Sequence, residues 1–207
     1  MENLHFFIAC EDQLAKALCV KLIRSILPDA TYNEPIVTGG CGELRKKVEP
    51  FLKIAAKNGF ATLILTDLDQ IVDAKALRET WLNNLNVPER FFLHISVREA
   101  ESWVLADSQG FSNWALIPKN KIPRVPDEER NIKEKLILIF KKYSNSKFVA
   151  DILPLASSKN AKVGIGYNAR LIEFVDNYWS IDNAILNSTS LKKSVDDLKM
   201  MLSKIHK

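Results

Sequence analysis

The sequence predicts an α/β fold: a parallel sheet of about four strands with flanking helices, followed by a helical C-terminal half. Three observations predict it. Short apolar runs alternate with amphipathic segments through the first hundred residues. One run, FATLIL at 60–65, is apolar almost throughout, as a strand covered on both faces must be. After residues 99–107 no convincing strand pattern remains, only helical periodicity.

Residues 4–10 (LHFFIAC) read as a buried strand. Leu14, Ala17, Leu18, Leu22 and Ile26 recur at helical spacing over 12–27, and Pro28 stops that helix. Residues 31–37 (TYNEPIV) read as a second strand; Pro35 has no N–H to give a ladder and puts it near an edge. The turn Thr38-Gly39-Gly40-Cys41-Gly42 leads into a helix over 43–58, expected to kink or break at Pro50. A third strand at 60–65, a helix over 72–86 and a fourth strand at 91–97 (FFLHISV) follow. Such alternation is the pattern of parallel strands joined by crossover helices. The segment 117–126 (IPKNKIPRVP), with three prolines, reads as a linker or draped loop. Residues 127–143, 146–156, 167–178 and 190–205 read as helices, the last with Ser190 as N-cap. The division expected is an α/β core over 1–110 and a helical extension, packed on it, over 111–207.

Composition narrows the class. The 207 residues are 47 % hydrophobic and 26 % charged, with a net charge of +4 and a pI near 8.9. That balance permits contact with a polyanion without demanding it. Cys10, Cys19 and Cys41 are too few and too scattered for a disulfide framework or a zinc site, so reduced thiols and a cytoplasmic location are expected. No signal peptide is visible, and no run reaches the ~20 apolar residues of a membrane span. His5, His94 and His206 form no triad, and Trp81, Trp103, Trp114 and Trp179 read as core. Oligomeric state stays open, a homo-oligomer included.

The chemistry lies at the strand ends. The first strand runs into Glu11, the third into Asp67-Leu68-Asp69, and the fourth into Arg98-Glu99-Ala100-Glu101. Parallel sheets bind ligands beyond the carboxyl ends of their strands. Converging carboxylates repel one another unless a cation neutralises them. Mg²⁺, or Mn²⁺, takes hard oxygen ligands, and two ions roughly 3.5–4 Å apart can clamp a phosphodiester. In an extended Asp-x-Asp, Asp67 and Asp69 share a face while Leu68 turns to the core. The plainer reading is helix capping, by Glu11 or Asp12 and by Asp69. Gly39, Gly40 and Gly42 either offer amides to a phosphate or simply make a tight turn. Lys159, Lys162, Gly164, Gly166, Tyr167 and Arg170 either hold a nucleic-acid strand or form a solvated turn. Lys119, Lys121 and Arg124 are a weaker instance of the same pattern.

Glu11, the Gly-rich turn after the second strand, and Asp67-Leu68-Asp69 resemble the Toprim domain of topoisomerases, primases and OLD-family nucleases. Residues 99–107 (EAESWVLAD) and 164–191 resemble a family of small stand-alone Toprim-like bacterial proteins, often encoded beside AAA- or ABC-type ATPases. The resemblance implies a Mg²⁺-dependent nuclease working in phage defence or DNA repair with an ATPase partner. Glu11 would be the acid/base and Asp67, Asp69, Glu99 and Glu101 metal ligands, with Arg98 touching phosphate. The alternative it implies is a catalytically silent, nucleic-acid-binding or regulatory subunit of an ATPase complex. Two departures stand out: Asp12 replaces the usual Gly after the first Glu, and the turn reads Gly-Gly-Cys-Gly where Gly and Ser are usual.

Overall fold

The computed structural model describes residues 4–71, 73–156 and 161–205; Lys159 lies outside them. The chain divides into two compact units, Met1–Val97 with Lys192–Lys207, and Arg98–Leu191.

The first unit is built on an all-parallel sheet. Its strands are β1 (His5–Cys10), β2 (Thr31–Tyr32), β3 (Ile36–Val37), β4 (Phe60–Asp67) and β5 (Phe91–Ser96). The order is β2-β1-β4-β5, and β3 also pairs with β1. The expected second strand is therefore two short pieces. Thr31 pairs with His5 and Ile36 with Ala9, while Asn33, Glu34 and Pro35 bulge out between them. Pro35 sits on the outer flank of β1, where its missing donor breaks no inner ladder.

Helices α1 (Gln13–Ile26), α2 (Cys41–Arg45), α3 (Val48–Ala55) and α4 (Ala74–Leu82) join the strands. Side-chain alternation splits the strand residues between two faces. Ala9, Ile64, Leu93 and Ile95 meet Leu44, Val48, Phe51 and Leu52 of α2 and α3 and Leu77 and Trp81 of α4. On the other face α1, packed on β1 and β4, buries Leu14, Leu18 and Leu22. Asp12 starts α1 by accepting the Ala15 N–H at 2.8 Å, and Asp73 does the same for Ala76 of α4. The 43–58 helix breaks at Lys46–Lys47, not at Pro50. Pro50 instead falls in the first turn of α3, where a helix has no partner for an N–H.

The second unit contains only helices among its described residues: α5 (Ala100–Ala106), α6 (Ser108–Ala115), α7 (Ile132–Tyr143), α8 (Val149–Ile152), α9 (Tyr167–Asn177), α10 (Ile181–Ala184) and the start of α11 (Thr189–Ile205). The 117–126 segment holds a 3-10 turn at Lys119–Lys121. The helix expected over 146–156 shrinks to the four residues of α8, with Pro154 just beyond it. The last helix is capped by Ser188 rather than Ser190: the Ser188 hydroxyl accepts the Leu191 N–H at 3.1 Å. Phe111, Trp114, Phe140, Phe148 and Phe174 form an aromatic core, with Trp114 stacked on Phe148 at 4.5 Å between centroids. Asp107 is fully buried and accepts the N–H groups of Gly110 and Ser180. A Cβ at residue 110 would stand 2.2 Å from an Asp107 oxygen, so only glycine fits there.

His94, opposite Leu65 in the β4–β5 ladder, is 1 % exposed, and neither ring nitrogen finds a hydrogen-bond partner among the described residues. Burial first, then the charges of Arg78 and Lys193, push its pKa down from 6.5 to about 3. The folded chain therefore holds His94 neutral where the unfolded chain protonates it. Stability should fall as pH drops from about 6.5 toward 3, by up to about 1.4 kcal/mol per pH unit from this group. Urea titrations of wild type and His94→Phe across that window check this; the variant's profile should be flatter.

Candidate functional site

Glu11 is the first residue past β1. From β1 the chain moves outward to β2 and β3, then crosses back to β4 on the other side. The strand order thus reverses between β1 and β4, and parallel α/β sheets bind ligands beyond the carboxyl ends of the strands at such a reversal. The ladder that pairs Cys10 with Leu65 runs on to set Glu11 opposite Thr66. Glu11 Oε1 accepts the Thr66 hydroxyl at 2.5 Å and the Asp67 N–H at 3.0 Å. Its Oε2 takes no hydrogen bond among the described residues.

The glycine turn closes over this end of β1. Thr38 N–H donates to the Cys10 carbonyl at 3.0 Å and Gly39 N–H to the Glu11 carbonyl at 2.9 Å. Gly39 and Gly40 have φ of 77° and 153°, values that exclude most side chains. A Cβ at either would meet nothing within 4 Å, so conformation and not space demands glycine. The turn delivers Cys41 to the start of α2. Donor atoms of Glu11, Cys41 and Asp69 lie within 4.8 Å of one another.

Asp67 and Asp69 do not act as a matched extended pair. Strand geometry ends at Asp67, and Asp69 adopts a left-handed backbone with φ of 50°. Leu68 turns into the core as expected, 2 % exposed, its N–H bonded to the Ser96 carbonyl at 2.9 Å. Because Thr66 and Asp67 alternate, Asp67 belongs to the opposite face from Glu11. There its Oδ1 accepts the Ser96 hydroxyl at 2.5 Å. The Asp69 carboxylate reaches Glu11 by means of the turn after β4, not by strand register. Capping explains Asp12 but not Asp69, since Asp73 caps α4.

Burial is the main force on Glu11 and pushes its pKa above the ordinary carboxylate value. The bonds from Thr66 and the Asp67 N–H pull it down, and the charges of Asp69 and Asp12 push it up again. Burial and Asp12 also push the Cys10 thiol up to about 12, which removes it as a nucleophile. Ligands around a small divalent ion at ~2.1 Å stand about 3–4 Å apart, so donors spread over as much as 4.8 Å would draw in to share one. Glu11 Oε2 and an Asp69 oxygen are hard donors suited to Mg²⁺ or Mn²⁺, with water filling the remaining positions. The Cys41 sulfur is soft and adds little for Mg²⁺.

Glu99 and Glu101 belong to the second unit and are engaged by a lysine. Lys133 Nζ lies 3.3 Å from Glu101 and 3.8 Å from Glu99, and the Lys133 N–H donates to Glu99 at 3.2 Å. The Tyr167 hydroxyl donates to Glu101 at 3.0 Å. Glu101 is 3 % exposed; burial raises its pKa, and Lys133 opposes that. Arg98 is half-buried just before them. Arg170 is held by Asp151 and Glu173 at 2.8 and 2.7 Å, so its charge is already met, while Lys162 is exposed in the turn before α9. Trp103 is wholly buried, its Nε1–H donating to Ser190 at 2.7 Å.

No protein-family model, curated protein or solved structure matches this chain. Functional assignment therefore rests on Glu11, Cys41 and Asp69 themselves. Sequence reasoning reached the two acids but passed over Cys41, Thr66 and Ser96. The glycines that flank Cys41 were the available signal, because they let a short turn fold back on the strand end. Thr66 and Ser96 become visible only through register.

Glu11→Gln supplies a direct check. The raised pKa means that folding favours the protonated acid: the stability it contributes is full below 4.5 and lost as pH rises through the raised value. A neutral amide keeps an oxygen for Thr66 and Asp67 without that loss. The thermal midpoint of Glu11→Gln should exceed that of wild type at pH 7–8, and the gap should close near pH 4.

Proposed function

We propose that this chain is a divalent-metal-dependent nuclease that cuts phosphodiester bonds in nucleic acid. The supporting observation is the meeting of Glu11, Cys41 and Asp69 donors within 4.8 Å where the strand order reverses. Glu11 Oε2 and Asp69 would hold Mg²⁺ or Mn²⁺, and such an ion, when bound, polarises a phosphoryl oxygen. Glu11 is fixed through its other oxygen by Thr66 and the Asp67 N–H, so that its free oxygen would meet the ion in a set orientation, and the ion would lower the pKa of a bound water. Asp67 acts through position: its backbone N–H orients Glu11, and its carboxylate is anchored on Ser96. A place in phage defence or DNA repair beside an ATPase partner rests on the Toprim resemblance alone.

One observation favours a second reading, a catalytically silent nucleic-acid-binding or regulatory subunit. Of the five strand-end acids only Glu11 and Asp69 gather with Cys41, while Glu99 and Glu101 share the ammonium of Lys133.

The test is cleavage of labelled DNA and RNA with Mg²⁺ or Mn²⁺. Asp69→Asn and Glu11→Gln should each slow cleavage by about 100-fold or more, and chelation should abolish it. Asp67→Asn, which keeps the backbone N–H, should cost less than Asp69→Asn. Cleavage that survives chelation or Asp69→Asn would falsify the nuclease reading. Activity appearing only with a co-purifying ATPase supports the second.

A further inference from the structure

Two stretches of the second unit are free of acids. Residues 108–126 and 135–150 contain seven lysines and arginines and not one Asp or Glu. The fold brings the two stretches together. The Asn145 N–H donates to the Leu116 carbonyl at 3.4 Å, and the Ser144 hydroxyl to the Ala115 carbonyl at 2.5 Å. Lys121 Nζ stands 5.2 Å from the centroid of the Tyr143 ring. Lys119, Lys121, Lys141, Lys142 and Lys147 are all exposed, and none pairs with a carboxylate among the described residues. Lys135, at the start of the second stretch, differs from these in facing Glu129 at 3.7 Å; outside the two stretches Lys192 likewise faces Asp196 at 2.6 Å.

A plain structural role covers only part of this. Lys141 and Lys142 lie in the last turn of α7, where cations offset the helix dipole. Lys119, Lys121 and Lys147 lie outside that helix and gain nothing from it. Like charges gathered without counter-charges repel one another, a cost that a polyanion removes. Tyr143, 37 % exposed, adds a planar face on which a base can stack.

We infer that Lys119, Lys121, Lys142 and Lys147, with Tyr143, form a docking surface for single-stranded nucleic acid. The choice of nucleic acid over other polyanions rests on the proposed nuclease function and on the exposed ring; the charge cluster does not depend on either. Lysines neutralise the backbone, which makes binding strongly salt-dependent, and Tyr143 contributes a term that salt does not screen. The prolines at 118 and 123 restrict the Lys119–Lys121 turn, so little freedom is lost on binding.

The experiment uses the full chain with a chelator, so that binding is read without cleavage. Fluorescence anisotropy is followed with a labelled single-stranded oligonucleotide from about 50 to 200 mM salt. The triple change Lys119→Glu, Lys121→Glu and Lys142→Glu should weaken binding at least about tenfold and reduce the slope of log K against log salt by about 2. Tyr143→Ala should weaken binding about tenfold with an unchanged slope. Thermal unfolding of each variant confirms that the fold is intact. An affinity untouched by the triple change overturns the inference. So does a wild type that ignores oligonucleotides but binds vesicles of anionic lipid, or one that binds neither. Binding through these lysines in a protein that never cleaves leaves the surface standing and removes the nuclease. Cleavage with unaltered affinity in the triple variant does the reverse.

Discussion

The organisation of the first unit turns on one carboxylate oxygen. Glu11 Oε1 takes a hydroxyl proton from Thr66 and a backbone N–H from Asp67, and so ties the end of β1 to the end of β4. These are the strands between which the strand order reverses. A charged acceptor receiving two donors in a half-buried place is worth more than a surface contact. The glycine turn hangs from the same residue through the Glu11 carbonyl, and Cys41 takes its position from that turn. Remove the Glu11 contacts and the cluster loses the residue that aligns its other members.

The electrostatics follow from the same arrangement. Burial disfavours a charge on Glu11, two donors favour it, and Asp69 and Asp12 oppose it. The balance leaves an acid with a raised pKa beside a second acid and a thiol. Like charges placed close together in this way are relieved by a cation or a proton. A similar tension in the second unit is settled internally, because Lys133 lies between Glu99 and Glu101 and Tyr167 serves the buried one.

Much of the fold was legible in the sequence. The β4 run from Phe60 is uniformly apolar, the α1 stripe is regular, and both emerge close to the expected bounds. The parallel sheet followed from alternation alone. Errors arose where local propensity met a competing constraint. Pro35 split a strand in two, Pro50 started a helix rather than breaking one, and Ser188 took the cap expected of Ser190. The site was half legible. Glu11 and Asp69 are readable as strand-end acids, but Asp67 looks equivalent to Asp69 in one dimension and belongs to the other face in three. Register, which pairs Asp67 with Ser96 and Glu11 with Thr66, is a property of non-local pairing and is weakly encoded in any single segment.

The divided outer strand has an effect on how copies of this chain meet one another. An uninterrupted border strand offers a row of idle amides and carbonyls that another polypeptide can extend into a fibre. Here the border is two residues, a proline-bearing bulge with Glu34 exposed, then two residues more. An incoming strand finds no straight stretch long enough to zip against and meets the Lys16–Glu34 ion pair midway. At this border of the sheet, the irregularity that hid the strand from pattern reading also guards against self-templated polymerisation.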